Sequence, residues 1–226
     1  MRVDRCFAFL DLSGFTAYTE EHGDEEAVSV LAMTRSVIRR ASERRGVRVT
    51  KWMGDGVMLS SAEAGGIAAC VLEARHHLTG ASPLDVRGGI ARGKVIMFEG
   101  DDYIGSTINL AARLCDMASA GQVLVAVSSD IVLPPWATTK PVGTVSVEGV
   151  RLPVEVEELG LFRTPGRRPV VDPVCGVPID ASVGVRPPGL PAEDPTLCCS
   201  DDCAGRWVEM ATRRRRTGPS LGGPGS

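Results

Sequence analysis

Two aspartates with apolar neighbours carry the first chemical signal in this chain. Asp11 closes the run CFAFLDL (6–12) and is followed by LSGFT, whereas Asp55 stands between Gly54 and Gly56 in KWMGDGVML (51–59). Either one alone is explained as a turn or capping residue. If the strand and the turn are neighbours, however, two carboxylates converge on one point. Carboxylates combined with phosphate oxygens suit Mg²⁺, which takes oxygen donors and keeps part of its water shell. Backbone N–H groups around Ser13, Gly14, Phe15 and Thr16 can face phosphate oxygens at a helix start. Asn109 and Arg113 lie four apart in STINLAARL, so they share one face of a helix and could hold a ribose and a phosphate. Taken alone, that pair reads as a solvated polar stripe, and Asp102 in EGDDYIG reads as a surface acid on a turn.

These residues need elements to position them. CFAFLDL reads as a buried strand. GDEEAVSVLAMTRSVIRRASERRG (23–46) reads as a helix capped by Asp24, acidic in its first turn, with apolar residues at helical spacing and Gly46 as its stop. Residues 47–52 and 57–60 form a hairpin around Gly-Asp-Gly, and a second helix covers 62–79. LDVRGGIARGKVIMF (84–98) reads as a strand pair, 106–121 as a helix and QVLVA as a strand. GGIARGKV resembles a phosphate-binding loop but has Val95 where Ser or Thr is required and strand residues where a helix should begin, so it is assigned as a hairpin turn. The order β-α-β-β-α-β predicts an α+β, ferredoxin-like sheet with helices on one face.

The 226 residues suffice for one sizeable domain and a small second one. A formal charge of −3, with 43% apolar and 23% charged residues, is that of an ordinary globular protein with no general attraction to nucleic acid or membrane. No apolar stretch is long enough to span a bilayer, and Asp11 interrupts the N-terminal run, so a cytoplasmic, reducing location is expected. Cys6, Cys70 and Cys115 are scattered, whereas Cys175, Cys198, Cys199 and Cys203 crowd the C-terminal segment. In such a compartment that crowding suggests a metal or redox site. The linker FRTPGRRPVVDP precedes that segment, and the run Arg213–Arg216 leads into a Gly/Pro/Ser-rich end. The expected domains are 1–162, a linker at 163–170, a cysteine module at 171–210 and a disordered tail at 211–226.

FAFLDLSGFTAYTE, VTKWMGDGVML, RGGIARGKVIMFEGDDYIGSTINLAARL and GQVLVAVS fall in one order and spacing. Over about residues 5–160 the chain thereby resembles the class III nucleotidyl cyclases. The resemblance implies metal binding by Asp11, Leu12 and Asp55, purine reading by Lys51 and Asp102, ribose orientation by Asn109 and transition-state stabilisation by Arg113. Gly14, Phe15 and Thr16 are expected beside the substrate phosphates. Two Mg²⁺ or Mn²⁺ ions per site are implied, with ATP as substrate, cyclic AMP and pyrophosphate as products, and a homodimer whose two subunits share each site. Adenine offers an N1 acceptor and an N6 donor, which match a lysine and an aspartate, and guanine offers the reverse. Guanylate cyclase is therefore the weaker enzyme reading. The reading from another class is a catalytically silent cyclase fold serving as a metal-sensing module. DPVCGVPID…CCSDDCAGRW resembles the YHS/TRASH-like metal-binding module. It implies Zn²⁺ or Cu⁺ on Cys175, Cys199 and Cys203, with the fourth position left to Cys198, water or Asp201.

Overall fold

The computed structural model describes residues 1–98, 102–127 and 131–217, and the chain divides after Phe162 into two compact units. The side chains of Arg214 to Thr217 and residues 218–226 lie outside the described residues. In the first unit β1 (Arg2–Leu12) is followed by α1 (Phe15–His22) and α2 (Asp24–Arg45). The hairpin β2 (Arg48–Met53) and β3 (Gly56–Ser61) comes next, then α3 (Ala64–Leu78), β4 (Val86–Phe98), β5 (Asp102–Ile104), α4 (Ser106–Met117) and β6 (Val123–Ala126). β7 (Ala137–Val145) and β8 (Val154–Leu161) close the unit. The sheet runs β2-β3-β1-β4-β6-β8-β7, with β5 folded back on β4. This is the expected α+β architecture.

Two local expectations are corrected. Asp24 is the first helical residue of α2 and not its cap; Gly23 occupies that position, in a conformation with φ 85° that separates α2 from α1. Residues 86–98 form one continuous strand, not a strand pair, and GGIARG lies within it instead of at a turn. Its glycines answer a different demand. A Cβ on Gly89 would lie 2.2 Å from the Ala111 carbonyl oxygen and 2.3 Å from the Cys115 nitrogen, and one on Gly93 would lie 2.6 Å from Thr107 Oγ1. The backbone of β4 is thus in direct contact with α4.

That contact defines one face of the sheet. Phe7, Met58, Ala91 and Val95 pack there against Ala111 and Leu114 of α4. Their strand neighbours Cys6, Ala8, Leu10, Val57 and Leu59 point to the other side, because side chains alternate along a strand. α3 packs against β1 and β3 on that side, and α2 packs on α3, so helices cover both faces and not the single face expected, because these strands carry apolar side chains on both sides. The end of α2 is tied to α3 by the buried Glu73, which Arg45 meets at 2.8 Å and Arg44 at 3.4 Å. Burial pushes the Glu73 carboxyl up, and the two arginines oppose that shift.

The second unit contains the short pair β9 (Val170–Val171) and β10 (Pro178–Ile179), a 3₁₀ turn at Ala181–Val183, a bridge between Val185 and Cys198, and α5 (Asp201–Thr217). The expected disordered tail from 211 is corrected as far as Thr217, which is still helical. Among the described residues no helix is long and apolar enough to cross a membrane.

The Gly89 contact yields a direct prediction. Gly89→Ala should lower the unfolding free energy by about 3 kcal/mol or more, the upper range of overpacking, because backbone cannot move aside as a side-chain tip can. Gly160→Ala, where an added Cβ meets nothing within 4 Å, should be near neutral. Urea unfolding of both variants measures the difference.

Candidate active site

Asp11 and Arg87 are cross-strand partners in the antiparallel β1–β4 pair, so they share a face. Arg87 Nε and Nη2 both donate to Asp11 Oδ2, at 3.0 and 2.7 Å, and Nη1 donates to the Asp116 carbonyl at the end of α4. Asp55 occupies the two-residue turn between β2 and β3, where Gly54 adopts φ 64°. Pairing of Leu10 with Val57 brings this tip beside Asp11. Gly56 keeps the approach open, since a Cβ there would lie 3.3 Å from the Leu10 carbonyl and 3.5 Å from Asp11 Oδ1.

The two carboxyl groups therefore meet. Burial pushes the Asp55 carboxyl up, and the neighbouring Asp11 charge and a hydrogen bond with Asp11 raise it further. Its own backbone N–H and Arg87 act in the opposite direction. Arg87 is in turn held more firmly protonated, first by its hydrogen bonds to Asp11. A pair of half-buried like charges beside a glycine-lined opening is a donor set that fits a hard divalent cation. Leu12 has its side chain buried and pairs with Val86, so it could reach a ligand only through its backbone.

α1 begins at Phe15 behind Gly14, which takes φ 78° with no side-chain cap, so the early N–H groups of the helix include those of Phe15 and Thr16. Ser13 is the exception in this stretch, because its N–H donates to the Asp85 carbonyl at 2.9 Å.

The remaining expected residues stand apart from that cluster. Lys51 is exposed on β2 and pairs with Met58, which places it on the α4 side of the sheet. Asp102 is exposed on β5 opposite Phe98, while the next residue, Tyr103, turns inward and packs edge-on against Phe7 with ring centroids 5.2 Å apart. On α4 the buried stripe is Thr107, Ala111, Leu114 and Cys115, which turns Asn109 and Arg113 outward. Arg113 meets Asp116 and Glu148 at 3.6 Å each. Both partners are well exposed, so these pairs hold it only weakly. Among the described residues no hydrogen bond or ion pair joins Lys51 to Asp102, or Asn109 and Arg113 to the carboxylates. One chain thus assembles the carboxylate group and displays the other set outward.

Arg87 and Glu148 were not singled out from the sequence. Arg87 had a usable signal, an arginine at the head of a strand that must pair with the strand carrying Asp11. Glu148 had none, being an acid in a turn that only the fold brings to α4.

A family profile described as the adenylate and guanylate cyclase catalytic domain matches residues 3–159. The chain belongs to this family. An uncharacterised protein of Mycobacterium tuberculosis (strain H37Rv) is 35% identical over 152 residues, covering 67% of this chain and 40% of the relative. The adenylate cyclase of Streptomyces coelicolor is 35% identical over 128 residues, covering 54% of this chain and 33% of that protein. The chain thus spans less than half the length of these relatives. The crystal structure of the adenylyl cyclase CyaB from P. aeruginosa is similar with a TM-score of 0.64 and 24% identity, over 72% of this chain and 96% of that one. The guanylate cyclase domain of RhGC from Catenaria anguillulae, in complex with GTP, is similar with a TM-score of 0.64 and 15% identity, over 72% of this chain and all (100%) of that one. These structural likenesses are ones of fold.

The Asp55 environment predicts a stability change of definite sign. A carboxyl raised above its usual 3.8 stays protonated in the folded chain after the unfolded chain has ionised, so its contribution to stability falls as pH rises through that window. In chelator at neutral pH, Asp55→Asn should raise Tm by about 2–4 °C, roughly 1 kcal/mol after allowance for solvent screening. The gain should vanish below the ordinary carboxylate range. Calorimetry across pH checks both statements, and a lower Tm at neutral pH would contradict the first.

Proposed function

We propose that the first unit is an adenylate cyclase that converts ATP to 3′,5′-cyclic AMP and pyrophosphate as a homodimer. The observation that carries this reading is the split constellation. Asp11 and Asp55 converge within one chain, while Asn109 and Arg113 of that chain point outward, where a second copy could receive them. Asp11, Asp55 and the Leu12 backbone would hold Mg²⁺ or Mn²⁺, which when bound lowers the pKa of the ribose hydroxyl and offsets charge on the leaving pyrophosphate.

The chain's own residues perform the rest. Asn109 orients the ribose so that its 3′-oxygen faces the α-phosphorus in line with the departing pyrophosphate. Arg113 presents fixed, always-charged donors to phosphate oxygens as negative charge accumulates. N–H groups at the start of α1, at Phe15 and Thr16, face the phosphates. Lys51 donates to adenine N1 and Asp102 accepts from the N6 amino group, a pairing that guanine cannot satisfy without leaving buried polar groups unpaired. The adenylate cyclase named among the sequence relatives supports the same choice. The silent-scaffold reading requires a missing functional group, and each expected position carries the appropriate side chain.

Purified protein supplied with ATP and Mn²⁺ or Mg²⁺ should produce cyclic AMP. Asp55→Ala and Arg113→Ala should each lose about 100-fold or more, in line with removal of a transition-state donor. Mixing the two variants should restore roughly a quarter of wild-type activity, because half of randomly formed two-fold dimers carry one intact site of two. An inactive mixture of stable dimers would count against shared sites. With ATP and GTP supplied in equal amounts, cyclic GMP in excess over cyclic AMP would count against the assignment of Lys51 and Asp102.

A further inference from the structure

The second unit gathers a donor set that the cyclase reading does not use. Asp172, Cys175, Cys199 and Cys203 are all buried, and one donor atom from each lies within 4.8 Å of every other. No disulfide joins these cysteines, and the Cys175 and Cys199 sulfurs lie 3.7 Å apart and those of Cys199 and Cys203 3.6 Å apart. Metal–sulfur bonds of about 2.3 Å in a tetrahedron place sulfurs about 3.8 Å apart, close to this spacing. We propose that these four residues form a closed site for one Zn²⁺ ion, with Asp172 as the fourth donor, and that the ion fastens the turn after β9 to the start of α5.

The case for Asp172 rests on its bonding. Its Oδ1 accepts from the N–H groups of Val174, at 2.7 Å, and Cys175, at 3.2 Å, and its Oδ2 accepts from the Cys199 N–H at 2.7 Å. The carboxylate thereby fixes the backbones of two ligand cysteines that are 24 residues apart. A tight turn assists: the Gly176 N–H, at φ 75°, donates to the Asp172 carbonyl at 2.8 Å. Three of roughly four acceptor positions are used, which leaves one for the ion. Among the described residues no ion pair reaches Asp172, although it is 0% exposed. A buried carboxylate with only neutral donors is costly, and a cation beside it removes that cost.

The other candidates for the fourth position are disfavoured. Cys198 exchanges both backbone hydrogen bonds with Val185, each at 2.7 Å, in an extended bridge. In extended chain the neighbouring Cys198 and Cys199 side chains point to opposite sides. Asp201 is exposed and does not belong to the cluster. Cys203 lies in the first turn of α5, its N–H donating to Ser200 Oγ at 3.3 Å. A unit built on strands of two residues each has little apolar core, and units this small are stabilised by staples such as a metal ion.

The donor set also selects the ion. Three thiolates exclude Mg²⁺ and Mn²⁺, and a carboxylate oxygen in the fourth position favours Zn²⁺ over the softer Cu⁺. Loading is balanced as Zn²⁺ entering and three thiol protons leaving.

The test reads metal content and needs no cyclase assay. The full chain, purified reduced and reconstituted with Zn²⁺, should retain one ion and release about three protons per ion. Co²⁺ in its place should show thiolate charge-transfer bands and a tetrahedral ligand-field spectrum. Cys199→Ser should abolish retention, and Cys198→Ser should leave it at one ion. Asp172→Asn should weaken Zn²⁺ binding at least about 10–100-fold and shift the Co²⁺ ligand-field bands. Chelation should accelerate amide exchange at Asp172–Gly176 and Cys199–Ala204 in the wild-type chain, a readout that does not depend on how well any variant folds. Absence of bound Zn²⁺ in the reduced wild type would overturn the proposal. So would preferential retention of Cu⁺, or loss of the ion in Cys198→Ser with retention in Asp172→Asn.

Discussion

The close approach of α4 to β4 governs the first unit. At Gly89 the helix backbone lies where a Cβ would stand, so the distance between helix and sheet is set by main-chain atoms and not by adjustable side chains. This seating buries Thr107, Ala111, Leu114 and Cys115 and so fixes the direction in which Asn109 and Arg113 leave the helix. Two residues before Gly89 on the same strand face, Arg87 reaches both the last turn of α4 and Asp11 of β1. One close packing therefore registers the carboxylate side of the constellation against the arginine side.

Within that frame the charges are arranged for binding at some cost to the empty fold. Asp11 and Asp55 repel each other, and Arg87 offsets only part of that repulsion because its donors are directed to Asp11. A structure under selection for stability alone would replace one acid with its amide. The hairpin instead keeps both, and provides glycine on either side of Asp55 so that nothing fills the approach. Groups held against their ordinary protonation behaviour in an opening of this kind are a common mark of function. Here the physical cause is visible in the strand register.

Much of this arrangement was legible in the sequence, and what was missed has identifiable causes. Helix periodicity, Gly46 as a stop and the Gly-Asp-Gly turn are local signals, and they placed α2, β2, β3 and the Asp55 tip. β4 was misread because glycines in a run ordinarily punctuate a chain, whereas those at 88, 89 and 93 exist to admit a neighbouring strand and a helix that lies further along the sequence. Arg87 escaped for the same reason: its partner is 76 residues away, and only antiparallel register brings them together. Glu148 meets Arg113 through the turn between the edge strand β7 and its neighbour β8, a contact with no local trace.

The second unit makes the same point with different chemistry. DPVC and the later cysteines announce a thiol site, but their spacing says nothing about which neighbouring polar group faces the sulfurs. Asp172 first serves the backbone: its carboxylate holds the N–H groups of Val174, Cys175 and Cys199 and thereby creates the geometry in which the thiols meet. A residue that builds the pocket from its own bonds is already positioned to act in it, whereas Cys198, one residue from a ligand, is turned away by the strand alternation that its bridge to Val185 imposes. The chain consequently carries two donor sets of opposite character, oxygen in the first unit and sulfur in the second. Their softness differs enough that Mg²⁺ has no claim on the cysteines, and a thiolate-seeking ion binds the cysteines in preference to the carboxylates.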